Sequence, residues 1–173
     1  MRKSFQDDIA ILKKLNLPRI WNGIKVLLSF YWSKWTNAPK TWGSPIAFAI
    51  EPTTACNLAC PECPSGLRSF SRPTGNLKKE VYEKAIDELS KNALYLSFYF
   101  QGEPYINPNF LDMVSYARSK KMHTSSSTNA HFLNDENAKK TVESGLDRLI
   151  ISIDGTSQEV YEQYRVGGKL EKV

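Results

Sequence analysis

Apolar residues follow two rhythms along this chain, and the switch between them divides it. Through residues 4–15 and 19–36 they recur every three or four positions, the spacing of one helical face. In the second stretch Ile20, Ile24, Leu27, Leu28, Tyr31 and Trp35 form that face, and Pro18 suits the first turn. Pro39 and Gly43-Ser-Pro45 then break the pattern. Behind the break, Ile46–Glu51 reads as a short buried strand. A stretch of about 25 residues rich in Cys, Pro and Gly follows, longer than an ordinary connection and therefore a pointer to function.

From residue 80 the rhythm alternates. Helical spacing over 80–92 gives way to an aromatic strand over 94–100, bounded by Gln101-Gly102. Asn107-Pro108 reads as an N-cap and first-turn proline, ahead of a face built from Phe110, Met113, Val114 and Ala117. A short polar strand is expected over 122–127, and a helix over 135–144 with Asn134 as cap and Gly145 as stop. A strand over 148–153 and a helix over 157–165, interrupted by Gly167-Gly168, complete the pass. Strands alternating with helices predict an α/β fold, a parallel sheet built from βαβ units. Four such units are too few to close a barrel, and Lys169–Val173 carries no terminal signal. The expectation is a partial (β/α) barrel, the front portion of a larger domain. A complete four-stranded open sheet is the alternative.

Composition narrows the classes. With 41% hydrophobic and 24% charged residues and a mean hydropathy of −0.42, the chain has enough to bury, and disorder is disfavoured. The most apolar run, Val26–Trp32, is far too short to cross a bilayer. The N-terminus, Met1–Asp8, has no signal-peptide apolar segment, so a cytoplasmic location is expected. Residues 1–44 hold eight Lys and Arg against two Asp, a balance of +6, whereas residues 45–173 hold fifteen basic against sixteen acidic. All four Trp also fall in the first segment, at 21, 32, 35 and 42. Two units follow: a basic, Trp-rich helical extension over 1–44, and the α/β domain over 45–173. The helical spacing predicts that the extension packs its aromatics on the domain and leaves its lysines in water. Peripheral contact with a membrane, or an acidic partner, is the other option. No recognition motif supports nucleic acid.

Three cysteines, all within eight residues, are not a secreted disulfide framework. Cys56-Asn-Leu-Ala-Cys60-Pro-Glu-Cys63 follows directly on the first strand. Three thiolates on one loop can grip three corners of a [4Fe–4S] cube, leaving the fourth iron open because the chain has no fourth cysteine. This C-x3-C-x2-C pattern resembles that of the radical S-adenosylmethionine (SAM) superfamily. Other segments fit in register. Gln101-Gly102-Glu103-Pro104 after the second strand resembles the Gly-Gly-Glu-Pro turn that contacts the methionine amino group, with Gln at the first position. Ser127-Thr-Asn129 resembles the family's Thr-Asn-Gly turn. Ile151-Ser152-Ile-Asp154-Gly155 resembles the segment carrying the ribose and carboxylate contacts, and Tyr164-Arg165 the arginine that pairs with that carboxylate. Position 62 is Glu where many members carry an aromatic. The likeness covers residues 46–168, and its nearest flavour is the subgroup with a cysteine-rich, SPASM-type C-terminal extension.

The resemblance implies an enzyme whose cluster, held by Cys56, Cys60 and Cys63, cleaves SAM reductively to methionine and a 5′-deoxyadenosyl radical. That radical takes a hydrogen atom from a substrate, for which a peptide or protein is one option. It also implies an electron donor such as a flavodoxin or ferredoxin. The competing reading is a non-catalytic iron–sulfur or zinc module docked through residues 1–44. Zinc would need His123 or His131 as fourth ligand, and both lie more than fifty residues away. Neither histidine has an identifiable partner in the sequence, and neither is expected to be catalytic.

Overall fold

The alternation resolves into one parallel sheet. The computed structural model describes residues 5–173, so residue 4 of the first expected helix lies outside the described residues. Two helices, α1 (Phe5–Leu12) and α2 (Leu17–Thr36), precede strand β1 (Ala47–Ala49). The chain then runs through α3 (Pro64–Leu67), α4 (Lys79–Leu89), β2 (Tyr95–Ser97), α5 (Phe110–Ser119) and β3 (His123–Thr128). It ends with α6 (Asp135–Ser144), β4 (Arg148–Ile151) and α7 (Gln158–Tyr164). The strands lie in the order β1-β2-β3-β4, all parallel, with Phe48 beside Leu96, Leu96 beside Thr124 and Ser126 beside Leu149. This is the partial barrel expected of four βα units.

The core sits between the sheet and one layer of helices. Tyr82 and Ile86 of α4, Phe110, Met113, Val114 and Ala117 of α5, and Leu96 and Phe98 at β2 bury together. Helix boundaries follow local chemistry. Asn16, Asn134 and Ser157 each accept a backbone N–H with their side chains, and Gly145 ends α6 at φ 73°.

Several expectations shift. The strand over 46–51 narrows to three residues, and Ala47 and Ala49 are exposed because β1 is an edge strand with helices on one face only. The weakest strand in the sequence, β3, is the longest and among the most buried. Its Ser and Thr content hid it, and hydrogen bonding replaces hydrophobic contact there. Asn107 does not cap α5. A 3-10 turn over Pro104–Ile106 intervenes, the Asn107 amide donates to the Pro52 carbonyl at 2.7 Å, and its Oδ1 accepts the Asn109 N–H. The helix therefore starts three residues after Asn107.

The largest correction concerns α2. Arg19, Asn22 and Ser29 are its buried residues, while Ile20, Ile24, Leu27, Leu28, Tyr31 and Trp35 are all exposed. The extension docks through its polar side. Arg19 donates to the carbonyls of Lys14, Ser90, Lys120 and Lys121, and the Asn22 side chain pairs with both the N–H and the carbonyl of Ser44. These bonds outrank hydrophobic spacing because the loops at the strand-start end of the sheet present unpaired carbonyls, which a guanidinium satisfies and a leucine cannot. The first helix joins the same end. Lys14 pairs with Asp147, and Asp7 pairs with Arg148 and with Nε2 of His123 at 2.9 Å. His123 thus has a partner, one 116 residues away.

Candidate cofactor site

The cysteine loop begins where β1 ends, and its backbone is tied down along its length. Leu77 N–H donates to the Pro52 carbonyl, Thr54 N–H to that of Gly75, and Thr53 forms an antiparallel bridge with Asn76. The returning arm of the loop is therefore paired with its departing arm. Within it, α3 follows Cys63 directly, with Pro64 in its first turn. Gly66 lies so close beneath Cys60 that a Cβ there would come within 2.5 Å of the Cys60 N and O. Leu58 is buried, and Ala59 N–H reaches the Val166 carbonyl, which fastens the loop to the segment after α7.

Gly102 supplies the second fixed point. Its φ of +79° is a left-handed conformation, and a Cβ would lie 2.1 Å from the Thr53 carbonyl oxygen. The turn can approach the cysteine loop only because position 102 is glycine, and the next N–H, of Glu103, donates to the Ala55 carbonyl at 2.8 Å. Gln101 stands where the resemblance expects a glycine. Its Oε1 accepts from Ser65 Oγ at 3.2 Å and from Cys63 Sγ at 3.3 Å, and Ser65 Oγ in turn accepts the Gly102 N–H.

Glu103 is 2% exposed. One carboxylate oxygen accepts from Thr128 Oγ1 at 2.7 Å and the other from Asn129 N–H at 2.8 Å. Burial raises its pKa, and those donors with the Tyr105 N–H pull it back. Asn129 then bonds Asn57 on the cysteine loop at 2.8 Å, with its amide 3.9 Å from Cys56 Sγ. The Ser127-Thr-Asn129 turn, weak as a sequence signal, is thus the joint between Glu103 and the cysteines. Ser152 meets Ser127, hydroxyl to hydroxyl, at 3.0 Å. Arg165 pairs with Asp154 through Nε and points Nη1 at Cys60 Sγ from 3.8 Å. Burial works against its charge, but Asp154 and the Cys60 sulfur more than offset that and lift its pKa above the ordinary value.

Together these groups line one pocket of about 160 Å³ at the carboxyl ends of the strands, where ligands of open α/β sheets bind. Cys56, Cys60, Cys63, Gln101, Gly102, Glu103, Ser152 and Arg165 share it. Asp154 stands behind Arg165, and Pro104 is buried at the start of its 3-10 turn without facing the pocket. All three cysteines are free, Cys60 buried and the other two half-buried. Burial, with some help from Glu103 and the neighbouring sulfurs, raises the Cys56 thiol above its usual range. Glu62 is exposed and lies off the pocket, whereas Tyr99 and Phe100 line it. The sequence pattern places both in the strand; because β2 stops at Ser97, they fall in the loop beyond it. Only the aromatic run before Gln101 could have marked them.

The model of the radical SAM superfamily matches residues 50–173. The chain belongs to that superfamily. Among curated relatives, a mycofactocin maturase of Mycobacterium ulcerans is 34% identical over 125 residues, covering 72% of this chain and 33% of its own. A PqqA peptide cyclase of Rhodopseudomonas palustris is 27% identical over 129 residues, covering 75% and 33%. The chain thus spans about a third of the length of these relatives. Among solved structures, BtrN in complex with AdoMet and 2-DOIA superposes with a TM-score of 0.54 at 25% identity, over 74% of this chain and 55% of the other. The family's cofactors are a [4Fe–4S] cluster and SAM.

Proposed function

We propose that this chain builds the cofactor-binding part of a radical SAM enzyme that acts on a peptide. Cys56, Cys60 and Cys63 would hold the cluster, and with no fourth cysteine in the sequence one iron would be left for SAM. One observation carries the reading: three free thiols from a single pinned loop share a pocket with Gly102, Glu103, Ser152 and Arg165. The donor set suits iron and sulfide, since soft thiolates favour such clusters. Among the described residues no group of His, Cys, Asp and Glu converges tightly enough to hold a single metal ion. A cube needs no such convergence, because each thiolate takes a different iron. Neither histidine lines the pocket, and His131 Nε2 already accepts the Lys169 N–H. That weighs against the zinc module.

When bound, the cluster supplies the electron that cleaves the SAM carbon–sulfur bond, opening hydrogen abstraction from substrate. The protein's residues bind and orient. The Glu103 side chain is committed to Thr128 and Asn129, so the backbone of the Gln101–Pro104 turn receives the SAM amino group. Arg165, steadied by Asp154, presents its remaining N–H groups to the SAM carboxylate as a charge-assisted pair. Ser152, at the mouth of β4, serves the ribose or carboxylate. The name of the peptide cyclase supports a peptide substrate. A flavodoxin or ferredoxin as electron donor, and a reducing cytoplasmic setting that keeps the thiols free, complete the proposal.

Anaerobic reconstitution with iron and sulfide tests the cluster. About four irons per chain are expected, and none in Cys60→Ala. A single tightly held zinc without visible absorption overturns the reading. Once reconstituted, the protein should form 5′-deoxyadenosine from SAM under dithionite. A reduced cluster that never does so would identify a non-catalytic module instead.

A further inference from the structure

The exposed side of α2 has a composition that solvent alone does not account for. Successive residues of a helix turn by about 100°, which places Leu27, Ile20, Tyr31, Ile24, Trp35, Leu28 and Trp32 on one continuous arc. Every one of them is exposed, Trp35 at 85%. Arg19, Asn22 and Ser29, on the opposite arc, are the residues turned into the domain. Lys25 and Lys34 stand at the two borders of the apolar arc. Trp42, returning after the helix, lies 5.8 Å from Trp32 between ring centroids and closes an apolar groove of about 590 Å³ with Leu28, Tyr31 and Trp35. Sixteen residues, Ile20 to Trp35, make this strip about 24 Å long.

Charge chooses the occupant. From Ile9 to Ile50 the chain contains six Lys and Arg and no Asp or Glu. Among the described residues Lys25, Lys34 and Lys40 have no acidic partner within salt-bridge distance. A second copy of the chain would bring more lysine to the rim and no carboxylate from this segment to answer it. An anionic bilayer answers both features. Leucine and tryptophan enter the boundary between headgroups and acyl chains, while bordering lysines keep their charge among lipid phosphates. No helix among the described residues is long and apolar enough to cross a membrane, so the contact lies in the plane of the surface.

We propose that α2, with Trp42, is an in-plane anchor for membranes rich in anionic lipid. Arg19 couples it to the strand-start end of the sheet, so the bound domain keeps its cysteine pocket on the far end. The proposal stands independently of the chemistry in that pocket.

Vesicles of phosphatidylcholine, with or without phosphatidylglycerol, test it through co-sedimentation and tryptophan fluorescence of the full chain. Binding with a blue shift is expected on the mixed vesicles, at least about tenfold weaker on phosphatidylcholine alone and falling with salt. The double variant Leu28→Ser, Trp35→Ser should lose binding to both, with its circular dichroism and iron content unchanged. Lys25→Glu with Lys34→Glu should lose only the preference for anionic lipid. Absence of binding to mixed vesicles overturns the proposal, as does binding that survives both double variants. So does a concentration-dependent dimer that shields the same tryptophans and leaves none for lipid.

Discussion

The cysteine loop and α2 make an instructive pair. The loop holds little regular structure beyond the single turn of α3, yet its two arms are paired through Thr53, Thr54 and Leu77, and backbone bonds at Ala55 and Ala59 fasten it to Glu103 and Val166. The helix is regular for twenty residues, yet one whole side of it is exposed. Regularity and anchorage are separate properties. A helix satisfies its own backbone and needs partners only for its side chains, so it can stand proud of the domain. An irregular loop must find backbone partners elsewhere, and doing so fixes the geometry of whatever it carries. The cysteines ride on the second kind of element, where positions are set to the precision that cofactor chemistry demands.

That contrast can be broken from either side. The largest effect is expected at the junction of loop and turn. Gly102→Ala places a methyl against the Thr53 carbonyl in a left-handed conformation. It should cost about 3 kcal/mol or more in chemical denaturation, with iron incorporation lost in the folded fraction. A variant that keeps both stability and iron would show that the turn need not touch the loop. Next is Glu103→Ala, which strands the Thr128 hydroxyl and the Asn129 N–H in a buried site. A loss of about 2–3 kcal/mol is expected, with weaker SAM binding by isothermal titration to the reconstituted chain. Unchanged SAM affinity would separate the turn's structural task from its binding one.

On the other side, Arg19→Met removes the donors that four carbonyls share. About 2 kcal/mol should be lost, and hydrogen exchange should quicken across α2 while iron content holds. Equal protection of α2 in the variant would mean that something other than Arg19 docks the helix. The smallest effect belongs to Trp35→Ser. Removing the most exposed tryptophan of the helix should change stability by no more than about 0.5 kcal/mol. A larger loss would mean that the outer face is packed after all.

Much of this molecule is determined by local sequence. The three-and-four spacing of Phe110, Met113, Val114 and Ala117, the cap at Asn134 and the glycine stop at 145 act over a few residues, and all appear where the pattern puts them. The parallel order of the sheet follows from alternation, because a strand must be followed by a crossover before its parallel neighbour. The C-x3-C-x2-C loop and the Gln101–Pro104 turn announce themselves by spacing, and both line the pocket.

The tertiary structure decided what spacing could not carry. The strand β3 is buried through hydrogen bonds, such as Ser126 Oγ to the Phe98 carbonyl, which leave no hydrophobic trace. Asp7 finds His123, Glu103 finds Thr128 and Asn129, and Arg165 finds Cys60, across 25 to 116 positions of sequence. Above all, periodicity shows that α2 has an apolar face but not which way it turns. That depended on the loose carbonyls of Ser90, Lys120 and Lys121, which come together only when the sheet forms. A carbonyl buried without a donor costs about 1–3 kcal/mol, and Arg19 was the side chain able to answer that of Ser90 together with those of Lys120 and Lys121.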